Sequence, residues 1–300
     1  MGFMDHVAAC NRRDLSRFRP FRVEGRNVGW VSDAFARELD GFPETLTVTP
    51  EAVAMADGLR SPTERTASLA GVLARLAGDG KVPRSRNEPF PVWTSFAGRE
   101  LMRIDRAAVP LFGVRAYGVH MNGFVRAPEG LKLWIARRSM GKKIAPGKFD
   151  NIVAGGQPAG LSLMDNLIKE CAEEASIPRD LARRAVPVGA VTYCMEDGEG
   201  LKPDCMFCYD LELPSDFTPR PNDDEVDAFM CWPIGEVLDA VRTSDVFKFN
   251  VNLVIIDFAI RHGLITPENE SRYLDLLFHL RGPAQPLPGH TLVDSPVVMG

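Results

Sequence analysis

The clearest periodic signal in the N-terminal part of the chain lies at residues 63–77 (TERTASLAGVLARLA). There Leu69, Val72, Leu73 and Leu76 recur at helical spacing and predict one apolar face. Ahead of it, residues 18–30 mix aromatic, basic and glycine positions and predict a short hairpin. Residues 32–39 predict a helix capped by Ser32 or Asp33, and residues 52–59 a second, short helix. Residues 81–91 carry Pro83, Pro89 and Pro91 and predict a loop or linker.

Near Tyr117 the pattern changes. Residues 118–125 (GVHMNGFV) and 131–136 (LKLWIA) predict two strands joined by a turn at Ala127, Pro128, Glu129 and Gly130. Residues 149–155 predict a third strand and 162–176 a helix. Strands are predicted at 190–195, 205–213 and 226–232, with residues 196–203 as a loop between the first two. Helices follow at 234–242, 251–262 and 267–280, and the proline-rich tail after Gly282 predicts extended chain. Strands with interspersed helices predict an α/β fold, a mixed sheet sandwiched between helices. The expected organisation is an α+β domain over 1–112, the sandwich over 113–265, and a C-terminal helix and extended tail over 266–300.

Composition narrows the function. The chain has 300 residues, 45% of them hydrophobic, enough to bury a core without disulfide staples. Thirty-five Lys and Arg against 40 Asp and Glu leave a net charge of −5, which counts against sequence-independent nucleic-acid binding. No apolar run approaches the ~20 residues of a membrane helix, and Asp5, His6, Arg12 and Arg13 interrupt any signal-peptide core. The chain therefore reads as cytoplasmic, and its six cysteines as reduced thiols.

The chemistry concentrates after a glycine-rich turn holding Gly155, Gly156 and Gly160. In the following helix Glu170, Glu173 and Glu174 stand at i, i+3 and i+4, on one face. Three carboxylates so close repel one another unless a cation lies between them, and an all-oxygen site suits Mg2+ or Mn2+. Ser162 is the expected N-cap. Lys169, four residues from both Asp165 and Glu173, is expected to orient the carboxylates. Leu163, Leu167 and Ile168 are expected to form the buried face and leave the glutamates outward.

This stretch resembles the Nudix box, Gly-x5-Glu-x7-Arg-Glu-apolar-x-Glu-Glu-x-Gly-apolar, of Mg2+-dependent hydrolases acting on diphosphates linked to another moiety. Gly155 matches its first glycine, Glu170 its second glutamate, Glu173 and Glu174 its closing pair, and Ile177 its last apolar residue. Leu161 stands in place of the first Glu, Lys169 in place of Arg, Cys171 in the apolar position and Ser176 in place of the last Gly. Aligned on the double glycine, the loop is one residue shorter than the pattern.

The segments KFDNIVAGGQPAG, KECAEEASIP, YDLELPSDFTPRPNDDEVDAF and FKFNVNLVIIDFAIRHGLI, with FRVEGRNVGWV near the start, resemble one branch of this superfamily. That branch carries an extra N-terminal domain and is described as thiamine-diphosphate-related. The resemblance implies hydrolysis of thiamine diphosphate, or of its oxidised forms, to the monophosphate. Glu173 and Glu174 are assigned as metal ligands and Glu170 as ligand or base held by Lys169; the Gly155 carbonyl as a further ligand is what the resemblance implies. A base from outside the helix is also implied, and Glu225, just ahead of the 226–232 strand, is the candidate.

Diphosphate must be gripped by positive charge. Arg137, Arg138, Lys142, Lys143 and Lys148 supply it, Arg137, Arg138 and Lys148 being the assigned contacts together with the turn glycines Gly155 and Gly156. An aromatic leaving moiety needs a stacking platform, for which Trp134, Tyr193, Phe207, Tyr209, Phe229 and Trp232 are available. His120 and His262 read as structural, and the lone Cys205-x-x-Cys208 does not read as a zinc site. Two other readings use the same fold: a diphosphate isomerase, which would want a catalytic cysteine and a histidine-rich site, and a non-catalytic binding module. The expected partner is a small diphosphate molecule, with no nucleic acid and no membrane; a homodimer is the one protein assembly considered.

Overall fold

The computed structural model describes residues 2–281, so the tail expected after Gly282 lies outside the described residues. In chain order the first elements are α1 (Phe3–Ala9), β1 (Phe18–Val23), β2 (Arg26–Ser32), α2 (Asp33–Leu39), β3 (Leu46–Val48), β4 (Val53–Met55), α3 (Pro62–Gly78), β5 (Pro89–Val92) and β6 (Met102–Asp105). There follow β7 (Tyr117–Ala127), β8 (Gly130–Arg138), β9 (Phe149–Asn151), β10 (Val153–Gly156), α4 (Leu163–Ala175) and α5 (Arg179–Ala182). The chain continues with β11 (Val186–Thr192), β12 (Met195–Asp197), β13 (Gly200–Lys202), β14 (Cys205–Glu212), β15 (Val226–Pro233), α6 (Ile234–Thr243), α7 (Val251–Arg261) and α8 (Tyr273–Leu280). Among the described residues no helix is long and apolar enough to cross a membrane.

These elements divide into two units. The first comprises residues 13–116 together with 194–203. Its sheet has the order β2-β1-β4-β3, with β4 parallel to β1, and β5 and β6 form a separate hairpin. Helix α3 starts at a capping box: Ser61 Oγ accepts from the Glu64 N–H, and Glu64 returns a carboxylate oxygen to the Ser61 N–H. Leu69, Val72 and Leu76 then fall on the face buried against Phe21, Val31, Val92 and Phe112. One turn earlier Arg65 is 2% exposed and donates to the carbonyls of Leu59 and Leu101 and to the Glu24 carboxylate.

The second unit comprises residues 2–12, 117–193 and 204–281. Its seven-stranded mixed sheet runs β11-β14-β7-β8-β15, with β14 parallel to β7 and the other pairs antiparallel. Strand β7 is long enough to change partners. Its second half pairs with β8 through Phe124–Ala127, whereas its first half pairs with β10. Strand β9 closes on the far end of β8, so 149–156 wedge into the fork between β7 and β8. Helix α4 covers one face over Val119, Met121, Val153, Tyr209 and Leu211. On the other side lies α7, whose residues from Val251 to Ala259 are all buried, with Phe258 against Phe124.

Several sequence expectations change. Residues 52–59 are not a helix: Val53 and Met55 alternate into the core as β4, since pairing with β1 buries a two-residue repeat that a helix would scatter. The loop expected at 196–203 is the β12–β13 hairpin, and it packs with the first unit. Gly200, at φ +134°, sits where an added Cβ would be 2.2 Å from the Pro110 carbonyl. Helix α1 belongs to the second unit, with Phe3 and Val7 buried and His6 bonded to the Val241 carbonyl, although the expected N-terminal domain began at residue 1. The last helix starts at Tyr273 rather than 267, because Asn269 turns back on the Thr266 N–H and Leu264 carbonyl. The expected linker holds β5, and the expected strand at 149–155 is two strands broken at Ile152.

The buried Arg65 gives a test of the first unit. Arg65→Met removes three donors from two carbonyls and a carboxylate and should lower its unfolding free energy by about 2 kcal/mol, the scale of leaving buried acceptors without their donor. Urea unfolding measures this; an unchanged midpoint would mean the guanidinium is dispensable.

Candidate active site

Helix α4 begins where expected. Ser162 Oγ accepts from the Asp165 N–H at 3.1 Å and donates to the Asp165 carboxylate at 2.7 Å. It ends at Ser176 in the left-handed conformation, φ 51° and ψ 31°. The family pattern has glycine there, and this conformation is the physical reason; the serine side chain is tied to the Arg220 carbonyl.

The helix docks on β10 through side chains that reach backbone. Glu174 accepts from the Ala154 N–H at 2.9 Å. The Glu170 carboxyl lies on Gly155 so closely that an added Cβ would be 2.3 Å from its Cδ. Asn166 donates to the Gly156 carbonyl at 2.9 Å. Residues at i, i+4 and i+8 of one helical face thus meet three successive residues of one strand, in reverse order. The Gly155 carbonyl itself lies over Gly118, where an added Cβ would be 2.9 Å away.

The expectation that the glutamates face outward is corrected for Glu174, which is 7% exposed. It stands seven residues after Leu167 and next to Cys171 and Ala175 on the buried stripe, so the helical repeat carries it inward. Burial pushes its pKa well above the ordinary carboxylate value; the Ala154 N–H opposes this, and the charges of Glu170, Asp150 and Glu225 add to it. Burial also raises Glu170, against the attraction of Lys169 and with the repulsion of Glu173 and Glu225. Glu173 is half-exposed and holds Lys169 Nζ at 2.5 Å, while Lys169 reaches Glu170 at 3.3 Å. Burial pulls the Lys169 ammonium down, but its bonds and charges to Glu173 and Glu170 outweigh this and raise it. Lys169 thus pairs with Glu173 and Glu170, while of the two residues four positions away only Glu173, not Asp165, bonds to it.

Among the described residues no three Asp, Glu, His or Cys side chains converge into a ready-made metal cage. The donor chemistry nevertheless fits a hard divalent cation. It is all oxygen, and its two inner carboxylates are raised in pKa by desolvation, Glu174 also by the charge of Glu170, a conflict that a cation relieves. Glu173 would have to exchange Lys169 for the ion.

Glu225 lies close enough for its charge to act on both Glu170 and Glu174, and it is ion-paired to Lys142. Asp223 joins this acidic edge, donated to by the Glu225 N–H and raised by burial. Two expected phosphate contacts are corrected. Arg138 is spent inside the fold, on Asp150 at 2.6 Å and on the Ile144 and Ala145 carbonyls, and it shares that buried carboxylate with Lys248. Lys148 is tied to Asp245 through both its carbonyl and its carboxylate. Arg137 is exposed at the end of β8.

The aromatic candidates also separate. Tyr193 is buried and donates to Asp204. Trp232 packs edge-on to Phe149 and Phe247, and Phe207 stacks on Tyr117. Trp134 and Phe229 lie partly buried beside the core under α4, and the indole N–H of Trp134 is buried with no partner. His120 is buried on Asn151, and burial lowers its pKa to about 4.

Sequence reasoning missed Asn166 and Gln157. Gln157 is 2% exposed, extends the β10–β7 pairing through its N–H to the Tyr117 carbonyl, and closes the glycine loop by donating to the Leu161 carbonyl at 2.7 Å. Among the described residues neither amide oxygen has a protein partner. The signal was available: Asn166 is polar, four residues before Glu170, on the side of the helix that faces the sheet.

A family model described as a domain of unknown function (DUF4743) matches residues 2–116. Over 284 residues the chain is 44% identical to Nudix hydrolase 24, chloroplastic, of Arabidopsis thaliana, covering 93% of this chain and 78% of that protein. Nudix hydrolase 20, chloroplastic, of the same plant is 43% identical over 294 residues, with the same coverage of each chain. Among solved structures, the NUDIX domain of Shewanella oneidensis NrtR complexed with ADP ribose aligns at 18% identity and a TM-score of 0.41, over 53% of this chain and 94% of that one. With more than two-fifths identity across most of both plant proteins, the chain belongs to the Nudix hydrolase family and is a pyrophosphohydrolase-type enzyme acting on phosphorus acid anhydrides.

Proposed function

We propose that this enzyme cleaves thiamine diphosphate, or its oxidised analogues, to the monophosphate, using Mg2+ or Mn2+ held by Glu170, Glu173 and Glu174. The observation that carries the metal-dependent reading is the seating of two neighbouring carboxylates on one strand, Glu170 against the bare backbone of Gly155 and the buried Glu174 on the Ala154 N–H, both raised in pKa by desolvation and Glu174 also by the charge of Glu170. The thiamine assignment is supported by the branch resemblance of the segments around the box.

Hydrolysis adds water to one phosphorus and breaks the bridging P–O bond, releasing monophosphate and inorganic phosphate. The bound cation supplies charge neutralisation at the phosphoryl oxygens and a water of lowered pKa. The protein supplies the rest. Glu170 and Glu174 are aimed by their seats on Gly155 and Ala154. Glu225, adjoining both by charge, takes the proton of the attacking water. Lys142, held beside it, and Arg137 face the developing phosphate charge. Lys169 holds Glu170 and Glu173 through its ion pairs until the ion arrives.

Phosphate release from thiamine diphosphate, oxothiamine diphosphate, ADP-ribose and dinucleoside polyphosphates, with Mg2+ or Mn2+, tests the substrate. The thiamine compounds should show the highest kcat/KM; faster turnover of ADP-ribose would overturn the assignment. Glu173→Gln and Glu174→Gln should each lower kcat by roughly a hundredfold or more, the scale of losing one electrostatic stabiliser, with the circular dichroism spectrum unchanged. Near-normal rates in both would remove the site. The raised Glu170 and Glu174 also set a pH dependence. Their folded values lie above the unfolded one of 4.5, so the stability they contribute is present below that pH and is lost as pH rises through the folded values. Added Mn2+ should therefore raise Tm more at pH 8 than at pH 5, and Glu174→Gln should abolish most of that difference; a Mn2+ shift independent of pH would contradict it.

A further inference from the structure

We infer that Asn166 and Gln157 are positioning residues for the acidic face: two neutral amides that lock the glycine loop and set the height of α4 along β10, and with it the cation affinity of Glu170 and Glu174. The inference rests on the proposed reading of those glutamates as cation-binding.

The argument begins with what holds the loop. Position 161, where the family pattern has a glutamate, is leucine and 40% exposed, so no carboxylate is available there. The loop is closed instead by Gln157, whose amide nitrogen reaches across four residues to the Leu161 carbonyl, while its backbone N–H is fixed to β7. Asn166 then joins the start of α4 to the end of β10 through the Gly156 carbonyl. Both side chains are fully enclosed, at 2% and 0% exposure.

Geometry makes Asn166 the first rung of a ladder. It meets Gly156, Glu170 meets Gly155, and Glu174 meets Ala154. The three helical positions are spaced by four residues, so a shift of the helix along the strand at one rung moves all three together. Glu174 accepts the Ala154 N–H and is repelled by Glu170, Asp150 and Glu225, so its own bond opposes several charges pushing it away. Asn166 supplies an anchor that carries no charge and feels none of that repulsion.

In both amides the nitrogen is the atom put to use: Gln157 Nε2 donates to the Leu161 carbonyl and Asn166 Nδ2 to the Gly156 carbonyl. What these bonds fix is the backbone on which the glutamates rest.

The test is Mn2+ binding to the full chain, read by electron paramagnetic resonance of the free ion, beside a thermal melt of the metal-free protein. Wild type should bind Mn2+, and Glu174→Gln should weaken it strongly. Asn166→Leu should raise the Mn2+ Kd by roughly tenfold to a hundredfold, the range for residues that orient metal ligands, while the metal-free protein still melts in one cooperative transition. Asn166→Ser, which keeps a donor at the same helical position, should recover part of the affinity; it also serves if the leucine variant does not fold. Gln157→Met should weaken Mn2+ in the same direction. If Asn166→Leu folds and binds Mn2+ with the wild-type Kd, or if Asn166→Ser and Asn166→Leu are equally weak, the positioning role is overturned while the cation site stands. If Glu174→Gln binds Mn2+ as wild type does, the cation site itself is wrong and the inference goes with it.

Discussion

The second unit is organised around a conflict between burial and charge. Glu174 lies on the apolar stripe of α4, enclosed by Val153, Cys171 and the sheet, with one backbone N–H to answer it. Glu170 and Glu225 act on it from the open side and Asp150 from within. Such a group is destabilising for its host unless something positive or a proton accompanies it. A surface optimised only for stability would not retain it. Its retention, the absence of a Cβ at Gly155, and the docking of one helical face onto successive backbone groups of β10 are parts of one arrangement.

The fork in the sheet makes that arrangement possible. Because β7 gives its first half to β10 and its second half to β8, 149–156 run inside the sheet. Behind them lies a polar layer that is closed rather than open. Asp150 is held down in pKa, against its burial, by Lys248 and Arg138. Asn151 bridges His120 and Asn122, and Asn122 passes the chain to Asp210, which receives both Arg261 and His262. Each member finds a partner, so this layer fixes β9 against β7 and β14. The contrast with the acidic face is chemical: behind the wedge every negative charge has a guanidinium or ammonium beside it, whereas in front Glu174 has only an N–H.

Much of this is legible in the sequence. The Ser162 cap, the span of α4, the Lys169 pairing and the location of the acidic face follow from local rules, because caps and i,i+4 pairs depend on residues a few positions apart. Arg138 and Lys148 were misread for the opposite reason. A basic residue near a predicted phosphate site looks the same in sequence whether it faces solvent or is spent on Asp150 and Asp245, residues 12 and 97 positions away. Residues 52–59 were misread because a short run satisfies helix and strand patterns alike until a neighbouring strand supplies hydrogen bonds.

The deeper division is between spacing and direction. Spacing along the chain was enough to gather three glutamates within about one turn of helix and to place them after a glycine-rich turn. Which glutamate turns inward, which amides hold the loop, and which unit the 194–203 hairpin joins were decided by packing. Those outcomes depend on the height and rotation of a helix against a strand, quantities that arise only when distant segments are brought together.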